Sequence, residues 1–139
     1  MNEFEVRITR KVKRDDIIQL YKDAGWWRQE YSLDPSFIDR LVCNSFCFVG
    51  AFHKKKMVGM GRSISDGASD AYILDVTVLK KYRGKGIGTR IILKILERIK
   101  SRGIDWATVI AEPGTEEFYR KAGFRVMKGF VPLRLKQRK

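Results

Sequence analysis

A glycine-rich loop, Arg83–Gly88, separates an apolar segment from a long amphipathic one and constrains the fold more than any other feature. The preceding segment, Ala71–Val78, has the apolar character of a buried strand. The following segment repeats isoleucine and leucine at helical spacing until Gly103. The first turn of a helix presents unpaired N–H groups and the positive end of the helix dipole. The sequence therefore predicts an anion site, suited to phosphate, at this loop.

Mobile positive charge is expected around the loop from five basic side chains: Lys80, Lys81, Arg83, Lys85 and Arg90. The spacing of the glycines argues against two other phosphate loops. A nucleoside-triphosphate loop carries Lys-Ser or Lys-Thr after its last glycine, whereas Thr89 and Arg90 follow Gly88. A dinucleotide loop follows an early strand, whereas here three predicted strands precede the strand that leads into the loop.

Hydrophobic periodicity along the chain predicts the order β-α-α-β-β-β-α-β-α-β-β. The predicted strands are Phe4–Ile8, Phe46–His53, Met57–Ile64, Ala71–Val78, Trp106–Ala111, Phe124–Met127 and Phe130–Leu135. Antiparallel hairpins precede a strand–helix–strand crossover. This order indicates an α+β fold in one domain, residues 1–139, with a mixed, mostly antiparallel sheet and helices on both faces.

The composition narrows the function classes. A formal net charge of +13 attracts polyanions, either nucleic acid or a phosphorylated cofactor. One histidine, His53, leaves too few ligands for a zinc cluster, so we expect no metal and interpret Cys43 and Cys47 as free thiols. No apolar run is long enough for a membrane span, and the charged N-terminal segment lacks the apolar part of a secretion signal. These features predict a cytoplasmic protein.

Three segments resemble the GNAT superfamily of N-acetyltransferases. Arg83–Gly88 fits its Arg/Gln-x-x-Gly-x-Gly/Ala motif, Asp75–Val78 resembles its cofactor strand, and Phe118–Phe124 resembles its Phe-Tyr-x-x-x-Gly-Phe segment. The order of elements agrees across nearly the whole chain. A finer, weaker resemblance is to small bacterial members and to plant and cyanobacterial serotonin N-acetyltransferases. The segments that carry it are Gly61–Arg62, Asp66–Gly67, Tyr72–Val76 and Ala111–Pro113.

The resemblance implies a cleft for acetyl-CoA between two parallel strands that splay apart. The cofactor strand and Trp106–Ala111 would form this pair. Main-chain groups would contact the pantetheine arm and the pyrophosphate. The implied cofactor-binding residues are Val76, Val78, Arg83, Gly84, Lys85, Gly86, Ile87, Gly88 and Thr89.

The chemistry of acetyl transfer needs an oxyanion donor, a proton for the departing thiolate and a neutral amine. The Val78 N–H is the predicted oxyanion donor, unless it makes an ordinary ladder bond. Tyr119 is the predicted general acid, and its alternative role is core packing beside Phe118.

The general base is left open between Asp75, Glu112 and a water relay. Asp75 interrupts an otherwise apolar strand, and a structural hydrogen bond to a neighbouring loop is its alternative role. Strand alternation places Asp75 on the face of Ile73 and Thr77, unless a bulge changes its direction.

Residues outside these motifs have two interpretations each. Trp26, Trp27 and Tyr31 either cap the core, which we favour, or line the acceptor side of the cleft. Arg62 is expected to pair with an internal carboxylate rather than with an anionic substrate, and Asp66 is expected to be a turn residue.

The resulting hypothesis is an acetyl-CoA-dependent N-acetyltransferase that acts on a primary amine by direct attack in a ternary complex. A small-molecule amine is the expected acceptor, and a protein lysine or N-terminus is the alternative. A basic nucleic-acid-binding domain fits the charge, but no nucleic-acid-binding motif is present. A CoA-binding sensor without activity is a further alternative. An exposed C-terminal edge strand would permit a homodimer.

Overall fold

The computed structural model describes residues 3–136. Five strands form one sheet in the order β1-β2-β3-β4-β5. They are β1 (Phe4–Ile8), β2 (Cys47–His53), β3 (Lys56–Ile64), β4 (Asp70–Val78) and β5 (Trp106–Val109). The pairs β1–β2, β2–β3 and β3–β4 are antiparallel, and the pair β4–β5 is parallel. The predicted mixed sheet of an α+β fold is confirmed.

Four α-helices accompany the sheet: α1 (Arg14–Ala24), α2 (Phe37–Cys43), α3 (Ile87–Ser101) and α4 (Glu116–Lys121). Short 3-10 helices cover Gln29–Leu33 and Lys80–Tyr82. The chain divides into two compact units, residues 1–109 and residues 110–139. The first unit contains the sheet and α1–α3, and the second contains α4. One domain over residues 1–139 stays a prediction.

Helices pack on both faces of the sheet. The apolar side of α3 is buried and consists of Ile87, Ile91, Ile92, Ile95 and Ile99. On β3, Gly59 and Gly61 face this helix, because a Cβ added at either position would meet Ile91. Side chains alternate along a strand, so Arg62 points to the opposite face, where it lies near α1. The two cysteines are free, as predicted, with Cys43 exposed and Cys47 buried.

Replacing Gly61 by alanine should destabilise the first unit, because α3 leaves no room for a methyl group. A Cβ there would lie 2.7 Å from Ile91 Cγ2 and 3.0 Å from Ile95 Cδ1. Ile91 branches at Cβ and is held in one rotamer by its helix. We expect the free energy of unfolding to fall by about 1–3 kcal/mol, the usual cost of overpacking. Urea unfolding followed by circular dichroism measures it.

Ser63→Ala on the same strand is the matched control. Its Oγ is buried and has no hydrogen-bond partner among residues 3–136, so its removal should change stability little. Gly61→Ala with the wild-type urea midpoint would contradict the packing argument.

The two predicted C-terminal strands are wrong. Residues 124–136 contain no strand, although a turn at Lys128–Gly129 connects the two segments. The side chains of Phe130, Leu133 and Leu135 are 67%, 89% and 91% exposed. Alternating apolar residues specify only one face of a strand, whereas its stability also needs a neighbouring backbone to pair with. The C-terminal edge that was expected to permit a homodimer is therefore not formed in the described part of the chain.

Candidate functional site

The parallel pair of strands separates before β4 ends. The ladder joins Asp70–Ile73 of β4 to Trp106–Val109 of β5 and stops there. Strand β4 continues to Val78, still paired with β3 on its other side. Beyond Ile73, β4 therefore has an edge that β5 does not cover. This edge is the splay that the sequence resemblance implied.

The main chain of Val78 points toward this uncovered edge. The Leu79 N–H donates to the Val58 carbonyl at 2.9 Å, so Leu79 and Val58 form a hydrogen-bonded pair. Bonded and non-bonded pairs alternate in an antiparallel ladder. Val78, opposite Gly59, is consequently in a non-bonded pair and directs its N–H and C=O away from β3. A ladder bond between the Val78 N–H and β3 is excluded by this register.

A β-bulge in β4 sets that register. Before the bulge Leu74 pairs with Arg62, and after it Thr77 pairs with Met60. Two residues, Asp75 and Val76, therefore stand opposite the single residue Gly61. Asp75 has a φ of +56°, which non-glycine residues rarely adopt.

The bulge corrects the predicted facing of the β4 side chains. Paired side chains share a face, so Thr77 shares the face of Met60, whereas Ile73, opposite Ser63, lies on the other face. Alternation without a bulge had placed Ile73 and Thr77 together. The side chain of Asp75 reaches the α1 face.

Two donors on the α1 face hold the Asp75 carboxylate. The Tyr21 hydroxyl donates to Asp75 Oδ2 at 2.9 Å, and Arg62 Nε donates to the same oxygen at 2.8 Å. Arg62 also reaches Ser45 Oγ at 3.5 Å. The side chains of Arg62 and Asp75 are only 13% and 19% exposed. The predicted pairing of Arg62 with an internal carboxylate is confirmed.

Tyr21 is the member of this cluster that the sequence did not reveal. Burial raises the pKa of its phenol well above the usual value, and the Asp75 charge and hydrogen bond add to the shift. Its hydroxyl therefore stays protonated and acts as a donor. In the sequence, the helical spacing of Tyr21 with Ile17 and Leu20 indicates only that its side chain faces inward. Asp75, an acidic residue in an otherwise apolar strand, is the signal that could have suggested a partner for the Tyr21 hydroxyl.

The glycine-rich loop lies open at the start of α3. Residues 83–86 are exposed, and Gly84 and Gly86 have φ values of +78° and +80°. A Cβ at either glycine would meet no heavy atom of residues 3–136 within 4 Å. Gly86 is the N-cap of α3 and has no side chain to cap its first turn. The N–H groups of this turn, which no side chain caps, suit an anion.

Side chains around the loop have separate tasks. The Asp23 carboxylate accepts a hydrogen bond from the Lys80 N–H at 2.8 Å and so holds the 3-10 helix that leads into the loop. Arg83 Nε donates to the Val78 carbonyl at 3.0 Å. The guanidinium of Arg83 thus fixes the end of β4 and is not the mobile charge that the sequence suggested. Lys80, Lys81 and Lys85 are exposed.

Tyr119 and Glu112 belong to the second unit. Tyr119 lies on α4, half-buried, with ring contacts to Phe118 and Phe124 at centroid distances of 4.9 and 5.7 Å. The Glu112 side chain is exposed, and its main-chain carbonyl accepts hydrogen bonds from the N–H and Oγ1 of Thr115 at 3.0 and 2.7 Å. Their predicted catalytic roles stay predictions.

The aromatic residues before α2 pack on one another. Tyr31 lies 5.3 Å from Trp27 and 4.7 Å from Phe37, measured between ring centroids. Trp26 meets the ring of Tyr21 edge-on at 5.4 Å. These contacts favour the core-capping interpretation. Asp66 accepts a hydrogen bond from the Ala68 N–H at 2.9 Å, which confirms its role in a turn.

Comparison with known proteins identifies this combination of splayed strands and glycine-rich loop. The acetyltransferase (GNAT) family matches residues 14–124. The chain belongs to this family. The enzyme class expected from its motifs, an N-acetyltransferase, is the class of the family.

Two curated relatives illustrate the range of the family. The chain is 39% identical over 116 residues to the histone acetyltransferase TAP1 of Glycine max, covering 78% of this chain and 50% of that one. It is 27% identical over 113 residues to the uncharacterized N-acetyltransferase ycf52 of Gracilaria tenuistipitata var. liui, covering 81% and 62%. The chain thus spans about half to two thirds of the length of these relatives.

Solved structures share the fold. A probable acetyltransferase of meticillin-resistant Staphylococcus aureus superposes with a TM-score of 0.81 at 25% identity, covering 96% of this chain and 99% of that one. The PaiA N-acetyltransferase of Thermoplasma acidophilum, solved with coenzyme A, gives a TM-score of 0.71 at 19% identity, covering 88% and 91%.

Residues 3–136 contain neither a membrane-spanning helix nor a cluster of metal-ligating side chains. None of the helices described there has the length and apolar character to cross a membrane. No group of three or more histidine, cysteine, aspartate or glutamate side chains in that range could hold a metal ion.

Proposed function

We propose that this chain transfers an acetyl group from acetyl-CoA directly to a primary amine, in a ternary complex. The observation that carries the proposal is the continuity of two open backbone surfaces. The edge of β4 that β5 leaves uncovered ends at Val78, and the uncapped first turn of α3 follows the exposed residues 83–86. One surface suits the amides of a pantetheine arm and the other suits a pyrophosphate.

The residues that would hold acetyl-CoA fit its chemistry. Val76 offers its main-chain donor and acceptor along the β4 edge, Val78 offers its N–H, and residues 83–89 offer amides at the start of α3. Residues 83–86 of the loop are exposed, Gly84 and Gly86 leave space for close approach, and the nearby lysines add positive charge. Coenzyme A bound to a relative of the same fold supports the choice of cosubstrate.

In the proposed reaction, the Val78 N–H donates to the thioester oxygen as negative charge develops on it. Tyr119 gives a proton to the departing thiolate, since a phenol is protonated at neutral pH. The base that receives the amine proton is Asp75, Glu112 or a water molecule. The hydrogen bonds that Tyr21 and Arg62 make to Asp75 weigh against that residue.

The acceptor that we propose is a small-molecule amine in the cytoplasm. A protein lysine is the second candidate, because a relative at 39% identity is named a histone acetyltransferase. The net charge of +13 repels a basic histone-like tail at long range, which favours the small molecule.

Titration calorimetry with acetyl-CoA, followed by an amine screen that detects released thiol, tests this function. We expect saturable binding and turnover with at least one small amine, and lower rates with basic peptides. Duplex DNA titrated at low and high salt is the comparison. Steep salt-dependent DNA binding without acetyl-CoA binding would replace the proposal by a nucleic-acid-binding role.

A further inference from the structure

We propose that Asp75 is a positioning residue, whose carboxylate, held by Tyr21 and Arg62, keeps the bulge that turns Val76 and Val78 toward the acetyl-CoA cleft. This inference rests on the proposed function, because it assigns the β4 edge to acetyl-CoA. It differs from the general-base role, in which the carboxylate would take a proton from the amine.

The direction of each β3 residue shows what the bulge changes. The Val58 carbonyl bonds to β4, whereas the Ser63 carbonyl bonds to Phe46 on the β2 side. Directions alternate along a strand, so residues 58, 60 and 62 of β3 face β4, and residues 59, 61 and 63 face β2. The main-chain groups of a β4 residue opposite the first set form hydrogen bonds with β3. Those of a β4 residue opposite the second set face the cleft.

Without the extra residue, the register that pairs Leu74 with Arg62 would continue along β4. Val76 would then stand opposite Met60 and Val78 opposite Val58, both of which face β4. The N–H groups of Val76 and Val78 would then donate hydrogen bonds to β3. The bulge moves both residues by one position, opposite Gly61 and Gly59, so that their N–H groups face the uncovered edge.

The bulge requires an unfavourable backbone conformation at Asp75, which side-chain hydrogen bonds stabilise. Its φ of +56° is unfavourable for an L-residue, least so for Asp and Asn, and costs a glycine nothing. The bonds from Tyr21 and Arg62, at 2.9 and 2.8 Å, hold its side chain in the position that this conformation requires. Such strain persists where the surroundings over-determine it.

A substitution series at Asp75 separates conformation from acid–base chemistry. Asp75→Gly and Asp75→Asn both tolerate the left-handed conformation but cannot act as a base. Asp75→Ala tolerates it less, and Asp75→Val, which is β-branched, tolerates it least. The two measurements are the acetyl-CoA affinity, by calorimetry, and kcat as a function of pH.

If Asp75 positions the strand, Asp75→Gly and Asp75→Asn bind acetyl-CoA within about 3-fold of wild type, and Asp75→Val binds at least about 10-fold more weakly. The pH profile of kcat keeps its acidic limb in the first two variants. A loss of kcat of about 100-fold or more in both, with unchanged affinity, assigns Asp75 as the base and overturns the inference. Equal affinity across all four variants, or a glycine variant as weak as the valine variant, also overturns it.

A double-mutant cycle tests the Tyr21 donor. Tyr21→Phe should weaken acetyl-CoA binding in the wild-type background and have no effect in the Asp75→Gly background, where no carboxylate needs to be held. The same loss of affinity in both backgrounds would show that Tyr21 acts by another route.

Amide hydrogen exchange provides a readout that does not need acetyl-CoA. In the wild type and in Asp75→Gly, the Val76 and Val78 N–H groups should exchange faster than those of Thr77 and Leu79. In Asp75→Val they should become protected, or the variant should lose affinity by unfolding the end of β4. A wild type with fast Val76 and Val78 exchange but no acetyl-CoA binding refutes the proposed function and leaves the bulge argument standing. Protected Val76 and Val78 amides in the wild type overturn the inference itself.

Discussion

Glutamate in place of Gly86 is expected to weaken acetyl-CoA binding by about 100-fold or more, equivalent to about 2.7 kcal/mol. Gly86 is the N-cap of α3, with a φ of +80° and open space where a side chain would begin. A carboxylate there would occupy the proposed pyrophosphate site and repel the phosphates. The same carboxylate would also interact favourably with the helix dipole, so the protein itself should not be strongly destabilised by the charge. Calorimetry with acetyl-CoA measures the effect.

The backbone strain of this change has a matched control at the other end of the same helix. Gly103 has a φ of +74°, is exposed and likewise has no heavy atom of residues 3–136 within 4 Å of a Cβ. Gly103→Glu therefore adds the same strain and the same charge. The 15 residues of α3 separate the two positions by about 22 Å, well beyond the screening length of about 8 Å in physiological salt.

We expect Gly103→Glu to keep wild-type affinity for acetyl-CoA, whatever stability it loses. Equal loss of affinity in both variants would attribute the effect to strain or to net charge. Wild-type affinity for acetyl-CoA in Gly86→Glu would show that the start of α3 does not bind the phosphates.

The sequence predicted the glycine-rich loop at the start of α3 because each part of it is local. A glycine-rich junction, a strand before it and an amphipathic helix after it are all written in consecutive residues, and the structure places Arg83–Gly86 on the surface, at the start of α3. The bounds of β2, β3 and β4 were likewise predicted to within one residue. Such features need no knowledge of what lies across the sheet.

The bulge and its carboxylate cluster could not be predicted in the same way. A bulge is a mismatch between two strands, and the sequence around Asp75 does not show which residue of β3 stands opposite. Tyr21 is 54 positions away along the chain and reaches Asp75 only because α1 crosses that face of the sheet. The Arg83 guanidinium was interpreted as mobile charge because its bond to Val78 closes a turn that no motif describes.

Phenylalanine in place of Tyr119 is expected to lower turnover by about 10-fold or more and to leave acetyl-CoA affinity nearly unchanged. The change removes only the hydroxyl. The ring contacts to Phe118 and Phe124 remain available, so α4 should keep its packing. If the hydroxyl gives a proton to the departing thiolate, its loss acts on the transition state and not on binding.

Tyr82→Phe is the control for Tyr119→Phe, because it removes the same group elsewhere. The Tyr82 hydroxyl lies 3.4 Å from His53 Nδ1, on a ring that packs against Phe4. It should leave kcat within about 2-fold of wild type, since no acid–base contribution is removed. Steady-state kinetics with calorimetry on both variants separates two roles for Tyr119. A lower kcat at unchanged affinity assigns to Tyr119 the proton transfer to the thiolate. The base that receives the amine proton is then one of the other candidates, Asp75, Glu112 or water. Unchanged kcat would leave Tyr119 a packing residue and require another proton source for the thiolate.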